Sequence, residues 1–234
     1  MPDPDYAIKV ERADEEVLVI DGLAIARAFF EGDPSSVGAN SYDAKAGNGN
    51  SERIEIADIE TMNSTMRTRS AHKWWDDVVD VDFEWLREDR LPLDFDILRT
   101  AAADWAAADG DGLAEQAFKD VFGFQRALAR VGKVLHLKRP CFFPVLDRLT
   151  AEMLGLTIPE QASKPKRVTL AQEMVALIRR EGQENLDTLE AIKAVLDADG
   201  IERPLVRILD AMLWFSHPAA GVKDRSRAIN VRLR

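Results

Sequence analysis

Between positions 126 and 148 the chain carries six basic residues, Arg126, Arg130, Lys133, Lys138, Arg139 and Arg148, against a single acid, Asp147. A helix through residues 124–136 would set Arg126, Arg130 and Lys133 in one row, opposite Phe124, Leu128, Val131 and Leu135. An exposed row of cations with Lys138 and Arg139 just beyond it is a means of neutralising phosphates. These five residues are therefore the candidate nucleic-acid contacts. Asp147 is the candidate catalytic residue, because a fixed carboxylate stabilises positive charge that develops on a substrate. The competing reading is structural: Asp147 falls in the first turn of a helix beginning near Pro144, where the dipole favours an anion and Arg148 and Arg139 lie close in sequence.

Other reactive types are sparser. His136 sits beside the basic island and is a proton carrier by chemistry, although a single histidine at a helix end more often bonds nearby carbonyls. His72 and His217 form no ligand spacing with it, and no metal site or cofactor is expected. Trp74 and Trp75 can stack a base, but adjacent aromatics usually divide between core and rim. Asn63 lies on the apolar face of its helix and needs hydrogen-bond partners there. Cys141, the single cysteine, reads as a small apolar filler. The stretch GDPSSVGANSYDAKAGNGNSE, residues 32–52, is rich in turn formers and lacks the Gly-x-x-x-x-Gly-Lys-Ser/Thr pattern of a P-loop.

Residues 123–156, a helix followed by Pro144-Val145-Leu146-Asp147 and a second helix closing at Leu154-Gly155, resemble the helix-hairpin-helix DNA glycosylase superfamily. The resemblance implies that Asp147 stabilises the sugar cation formed as a base leaves, or activates the nucleophile. The superfamily's Gly-x-Gly is replaced here by GFQR or RVGK, and its catalytic lysine has only Lys133 nearby, at a shorter spacing to the aspartate. Over most of its length the chain also resembles a bacterial family built around a domain of unknown function. The matching segments are Tyr42-Asp43 with the Gly-rich stretch, the helix opening at Ile56 to Ile59, Leu135 to Pro140, Pro144 to Asp147, and Arg207 to Asp210 followed by Trp214. That resemblance implies one helical domain and supplies no activity.

The elements that must carry these residues are mostly helical. Ala7–Arg12 and Glu16–Ile20 alternate and predict a short hairpin, and residues 22–31 predict a short helix. From Ile56 the apolar period is helical, with Ile59, Met62 and Met66 on one face and Trp74, Trp75, Val78 and Val79 following. Helices are predicted over 96–108 and 111–121, split by DGDG, over 124–136, and over 144–154. Thr169 and Gln172 suggest a capping box opening a helix that Gly182 ends. Another helix stops at Gly200, and Pro204 opens the last, where Leu205, Ile208, Leu209, Met212 and Leu213 repeat on one stripe. Gln161–Arg167 reads as a mobile basic loop. The expectation is a mainly α, compact multi-helix single domain over residues 1–222, with 123–156 as its helix-hairpin-like core. The tail 223–234, with five basic residues and one acid, is expected to be disordered.

The 234 residues are 46% hydrophobic and 31% charged, which suits a globular chain rather than a disordered one. The net charge of −10 is uneven. Residues 1–125 hold 12 basic and 28 acidic residues, and residues 126–234 hold 19 and 13. That asymmetry fits pairing between the halves, or one face turned to an anionic partner. With no long apolar run and an acidic, polar start, the expected location is the cytoplasm, away from membranes. Three classes of function stay open: a glycosylase-type enzyme, a nucleic-acid-binding relative without catalysis, and a protein-interaction or structural module.

Overall fold

A computed structural model describes residues 6–14, 17–31, 37–48, 52–66, 68–123, 126–159, 162–220 and 232–233. It opens with the expected hairpin, β1 (Ala7–Glu11) and β2 (Val17–Asp21), paired antiparallel with Ala7 opposite Asp21 and Glu11 opposite Val17. The alternation sends Ile8, Val10, Leu18 and Ile20 inward, each at most 1% exposed. A two-residue strand, β3 (Arg232–Leu233), joins the far side of β2, so the end of the basic tail is part of the sheet.

The other edge of the sheet is closed without a strand. The amides of Lys9 and Glu11 donate to Asn185 Oδ1 and Glu181 Oε2, at 2.9 and 2.8 Å, and Asn185 Nδ2 donates to the Lys9 carbonyl at 2.6 Å. Arg180 covers the Glu11 carbonyl at 2.6 Å. Side chains from the end of one helix and the residue that follows it thus satisfy the backbone groups that an edge strand leaves open.

Helices form the rest: α1 (Gly22–Phe30), α2 (Val37–Asp43), α3 (Ile56–Met66), α4 (Ala102–Ala107), α5 (Gly110–Val121), α6 (Leu128–Lys138), α7 (Arg148–Met153), α8 (Lys164–Glu184), α9 (Leu186–Ala198) and α10 (Leu205–Ser216). The last is the axis of the molecule. Every residue of α10 but Trp214 is buried, and α1, α7, α8 and α9 pack around it. A stripe wider than one face is what a helix surrounded on all sides requires. The same core extends through Trp85, Phe118, Phe142 and Phe143, with ring centroids 4.7–6.2 Å apart in edge-on pairs.

Several expectations are corrected. The stretch 32–52 contains α2, because Tyr42 and Asp43 find buried partners and anchor a helix there. Trp74 and Trp75 lie on and just after a single 3-10 turn, His72–Trp74, rather than on an α-helix. Residues 164–167 of the expected basic loop form the first turn of α8, with Pro165 at a position where a missing N–H costs nothing, and Gln161 lies outside the described residues. Thr169 is then inside that helix, where its hydroxyl donates to the Pro165 carbonyl at 3.2 Å instead of capping. Gly182 does not end the helix. It lets Leu98 press against α8, where a Cβ would lie 2.4 Å from Leu98 Cδ2.

Candidate functional site

The basic segment enters α6 four residues later than its periodicity suggests, at Leu128, and stays helical to Lys138. Leu128, Val131 and Leu135 are buried as the wheel requires, and Phe124 lies outside the described residues. The opposite face is not exposed. Arg126 precedes the helix at 1% exposure, donates from both terminal nitrogens to Asp77 at 2.6 and 2.7 Å, and rests over the Trp75 ring. Lys138, 2% exposed, pairs with Asp58 at 2.5 Å. Arg139 is fully buried and donates to the carbonyls of Leu86, Leu91 and Lys138, with Glu88 3.5 Å away. These three cations join the basic second half of the chain to carboxylates and carbonyls of the acidic first half.

Arg130 and Lys133 are placed differently. The Arg130 guanidinium lies 4.8 Å from the centroid of the Trp74 ring, and both residues are half-buried. Asn63 builds this corner. Its Oδ1 accepts from Thr68 Oγ1 and the Ser70 amide, and its Nδ2 donates to the Ser70 carbonyl, all at 2.7 Å. That clamp holds Arg69 in a left-handed conformation at φ 50°. Ser70 Oγ then accepts the Trp75 indole N–H at 2.8 Å, which fixes Trp75 in the core and leaves Trp74 at the rim.

Lys133 is 9% exposed and has no carboxylate within ion-pair distance among the described residues. Burial lowers its proton affinity; Asp147 opposes the shift, and Arg207 and Arg130 add to it. Asp147 caps α7, accepting the Thr150 amide on Oδ1 at 3.0 Å, and is half-buried. It therefore stands just before the helix rather than in its first turn. Neither expected arginine reaches it: Arg148 pairs with Glu152 at 3.1 Å and Arg139 turns to carbonyls.

Gly132 brings the Pro144–Asp147 segment against α6. A Cβ there would sit 2.8 Å from the Leu146 amide nitrogen and 2.9 Å from Leu146 Cβ. Backbone cannot yield as a side-chain tip can. Gly132→Ala is expected to cost about 1–3 kcal/mol through overpacking, more than the roughly 1 kcal/mol that alanine gains in helix propensity. A thermal melt should show the midpoint falling, and a variant as stable as the parent would remove the close approach as a constraint.

Beneath this surface lies a network that position-by-position reading missed. Arg207, 3% exposed, donates from Nε to Asp43 at 2.8 Å and pairs with Asp210 through its terminal nitrogen. Burial works against its charge, and the two carboxylates more than offset that, raising its proton affinity. Asp210 in turn accepts the Val145 amide at 2.6 Å. Tyr42 donates to the Lys133 carbonyl and stacks on His136 at 5.8 Å. His136 donates from Nδ1 to the Phe143 carbonyl at 2.7 Å, and its buried Nε2 has no partner. Burial pushes its pKa down to about 4, so the ring is neutral at pH 7.

Elsewhere a cleft of about 310 Å³ opens between the 84–86 turn and α5, lined by Glu84, Asp109 and Asp120 with Arg90 and Trp85. Its carboxylates give it the wrong sign for phosphate. No helix among the described residues is long and apolar enough to cross a membrane. No group of three or more His, Cys, Asp or Glu side chains among them is arranged to hold a metal ion.

The architecture is thus that of a mainly helical chain with a small N-terminal sheet. Residues 23–217 match the family of unknown function DUF6308, and the chain belongs to that family. No curated protein and no solved structure matches it.

Proposed function

We propose that this chain binds nucleic acid at the corner formed by Trp74, Arg130 and Lys133, with Asp147 as the neighbouring carboxylate. The observation that carries the reading is Lys133, whose side chain is nine-tenths buried over its length and has no ion-pair partner among the described residues. Holding such a charge away from water is costly unless an anion meets it, and the adjoining Trp74–Arg130 stack offers a flat surface for a base. Of the five cations first considered as contacts, Arg126, Lys138 and Arg139 are engaged internally. A base-release step, as in the helix-hairpin-helix glycosylases, would rest on Asp147. Asp147→Asn keeps the cap while removing the charge, so that step would fall by orders of magnitude in folded protein.

The same internal pairing of basic residues also supports a non-enzymatic protein-interaction module. Val81 is the one large hydrophobic side chain exposed among the described residues, so a partner on that reading would meet a polar surface.

Lys133→Gln is expected to weaken binding of a fluorescently labelled oligonucleotide about tenfold or more. Lys119→Gln, which removes an exposed cation paired with Glu115 on α5, should change it little. Anisotropy titrations at low salt decide the matter. No binding of single-stranded or duplex DNA or RNA under those conditions would overturn the reading.

A further inference from the structure

We infer that the bound nucleic acid is held by a second set of cations, Arg69, Lys73, Lys164 and Lys166, which grip its phosphodiester backbone without reading its bases. This rests on the nucleic-acid reading above and deepens it by extending the contact surface past Lys133. Three segments distant in the chain meet there. Residues 72–77 are tied to Arg126 by its pair with Asp77 and by its guanidinium over the Trp75 ring. The first turn of α8 is tied to the same stretch by Arg167, whose terminal nitrogens donate to the carbonyls of Arg126 and Gly123, both at 3.1 Å. Lys164 is close enough to reinforce Arg126 in holding the Asp77 carboxyl below the usual carboxylate range. Residues 69–77, 126–133 and 163–167 together carry eight basic residues and two acids, in a chain whose net charge is −10.

Four of those cations are accounted for. Arg126 and Arg167 are bonded within the fold, Arg130 covers the Trp74 ring, and Lys133 is buried. The other four are exposed, and no carboxylate pairs with them among the described residues. Three of these four stand where local physics disfavours them. Arg69 is left-handed, at φ 50°, a conformation that glycine adopts without cost and arginine does not. Lys164 and Lys166 lie in the first turn of α8, where the helix dipole opposes a cation, and that turn carries no acid to offset them. Placements that cost stability and return no contact inside the fold are explained by an anion outside it. Lysine meets phosphate as a point charge, and phosphate contacts fix a strand's position without specifying its sequence. Of the two acids, Asp77 is held by Arg126. Asp76 and, further along the chain, Asp80 are exposed, and their like charge bounds the surface on that side.

Anisotropy titrations of labelled single-stranded and duplex DNA over a range of salt concentrations test this. The variant combining Arg69→Gln, Lys73→Gln, Lys164→Gln and Lys166→Gln should lower the log–log salt slope by about three on a single strand and about four on a duplex, so the change in slope tells which form supplies the phosphates. Its affinity at about 0.1 M salt should fall ~100–1,000-fold, by the same factor on strands of different sequence. Its melting temperature should match the parent's, since the four side chains have no ion pair to lose. Arg69→Gly alone should hold or raise the melting temperature while weakening binding, and Asp76→Asn should tighten it. Arg90→Gln, which removes an exposed cation from the cleft lined by Glu84, Asp109 and Asp120, should leave the slope unchanged. A fourfold variant with the parent's slope and affinity would overturn the inference and leave the Lys133 reading standing. Losses confined to particular sequences would also overturn it, because charge alone cannot produce them. Failure of every nucleic-acid probe to bind the parent, whether or not phosphatidylserine vesicles do, would remove both.

Discussion

Arg207→Met should be among the most damaging single substitutions in this chain, with a loss of about 3–5 kcal/mol. The replacement fills much of the same volume but leaves Asp43 and Asp210, each under a tenth exposed, without their shared cation. Asp43 then keeps only Arg203, 3.8 Å away, and Asp210 only the Val145 amide, so these buried carboxylates must protonate or admit water. Urea unfolding should show a clearly lower midpoint with an unchanged slope. The rescue makes the cause specific. Adding Asp43→Asn and Asp210→Asn removes the stranded charges while keeping an acceptor for the Val145 amide, and should restore a large part of the loss. A single variant within about 1 kcal/mol of the parent would show that the network contributes little.

The second large effect is an acid-induced loss of stability centred on His136. The folded-state pKa of about 4 lies below the usual 6.5, so the unfolded chain binds the extra proton first. Stability from this group is fully present above about pH 6.5 and declines as the pH falls towards 4. At about 1.4 kcal/mol per pH unit the total is about 3 kcal/mol. Buried carboxylates act in the opposite direction, Asp210 foremost, whose pKa burial pushes up to about 7. Burial raises Asp58 and Glu181 above their usual values, so each favours the folded state as the solution turns acid. The histidine contribution is therefore read from a difference: His136→Phe should lose some stability at pH 7 with the Phe143 bond, yet show a flatter profile between pH 6.5 and 4. Parallel profiles for the two proteins would exclude His136 as the source.

The elements were legible where one residue type dominates a period. The α10 stripe and the β1–β2 alternation follow from burial alone, and both are present close to their expected bounds. The helical wheel of α6 was half informative. It located the apolar side correctly, but charge at helical spacing says nothing about whether an acid from another part of the chain will cover it. Asp77 and Asp58 are 49 and 80 positions away from Arg126 and Lys138, and nothing in the local sequence announces them. The Tyr42–Asp43, Leu135–Pro140, Pro144–Asp147 and Arg207–Asp210 segments were each visible as family-like pieces. Their meaning lies in their meeting, through Arg207 to Asp43, Asp210 to Val145 and Tyr42 to His136. A signal for that was available in the charges themselves, since an arginine and an aspartate three apart on a helix that is otherwise apolar must find partners inside. Trp74 and Trp75 divided between rim and core because Ser70 holds the Trp75 indole, a contact set by Asn63 rather than by the tryptophans.

The seal on β1 has a consequence for the fate of partly unfolded molecules. Because Glu181, Asn185 and Arg180 close that edge, its protection lasts only while α8 and the start of α9 remain docked. Detachment of that helix pair bares a row of amides beside an apolar strand, a template on which other chains can assemble. Clumping should then set in at temperatures or denaturant concentrations below the main transition. It should be governed by how firmly two helices grip a strand rather than by the stability of the whole molecule, and substitutions at Asn185 should hasten deposition well before they register in a melt.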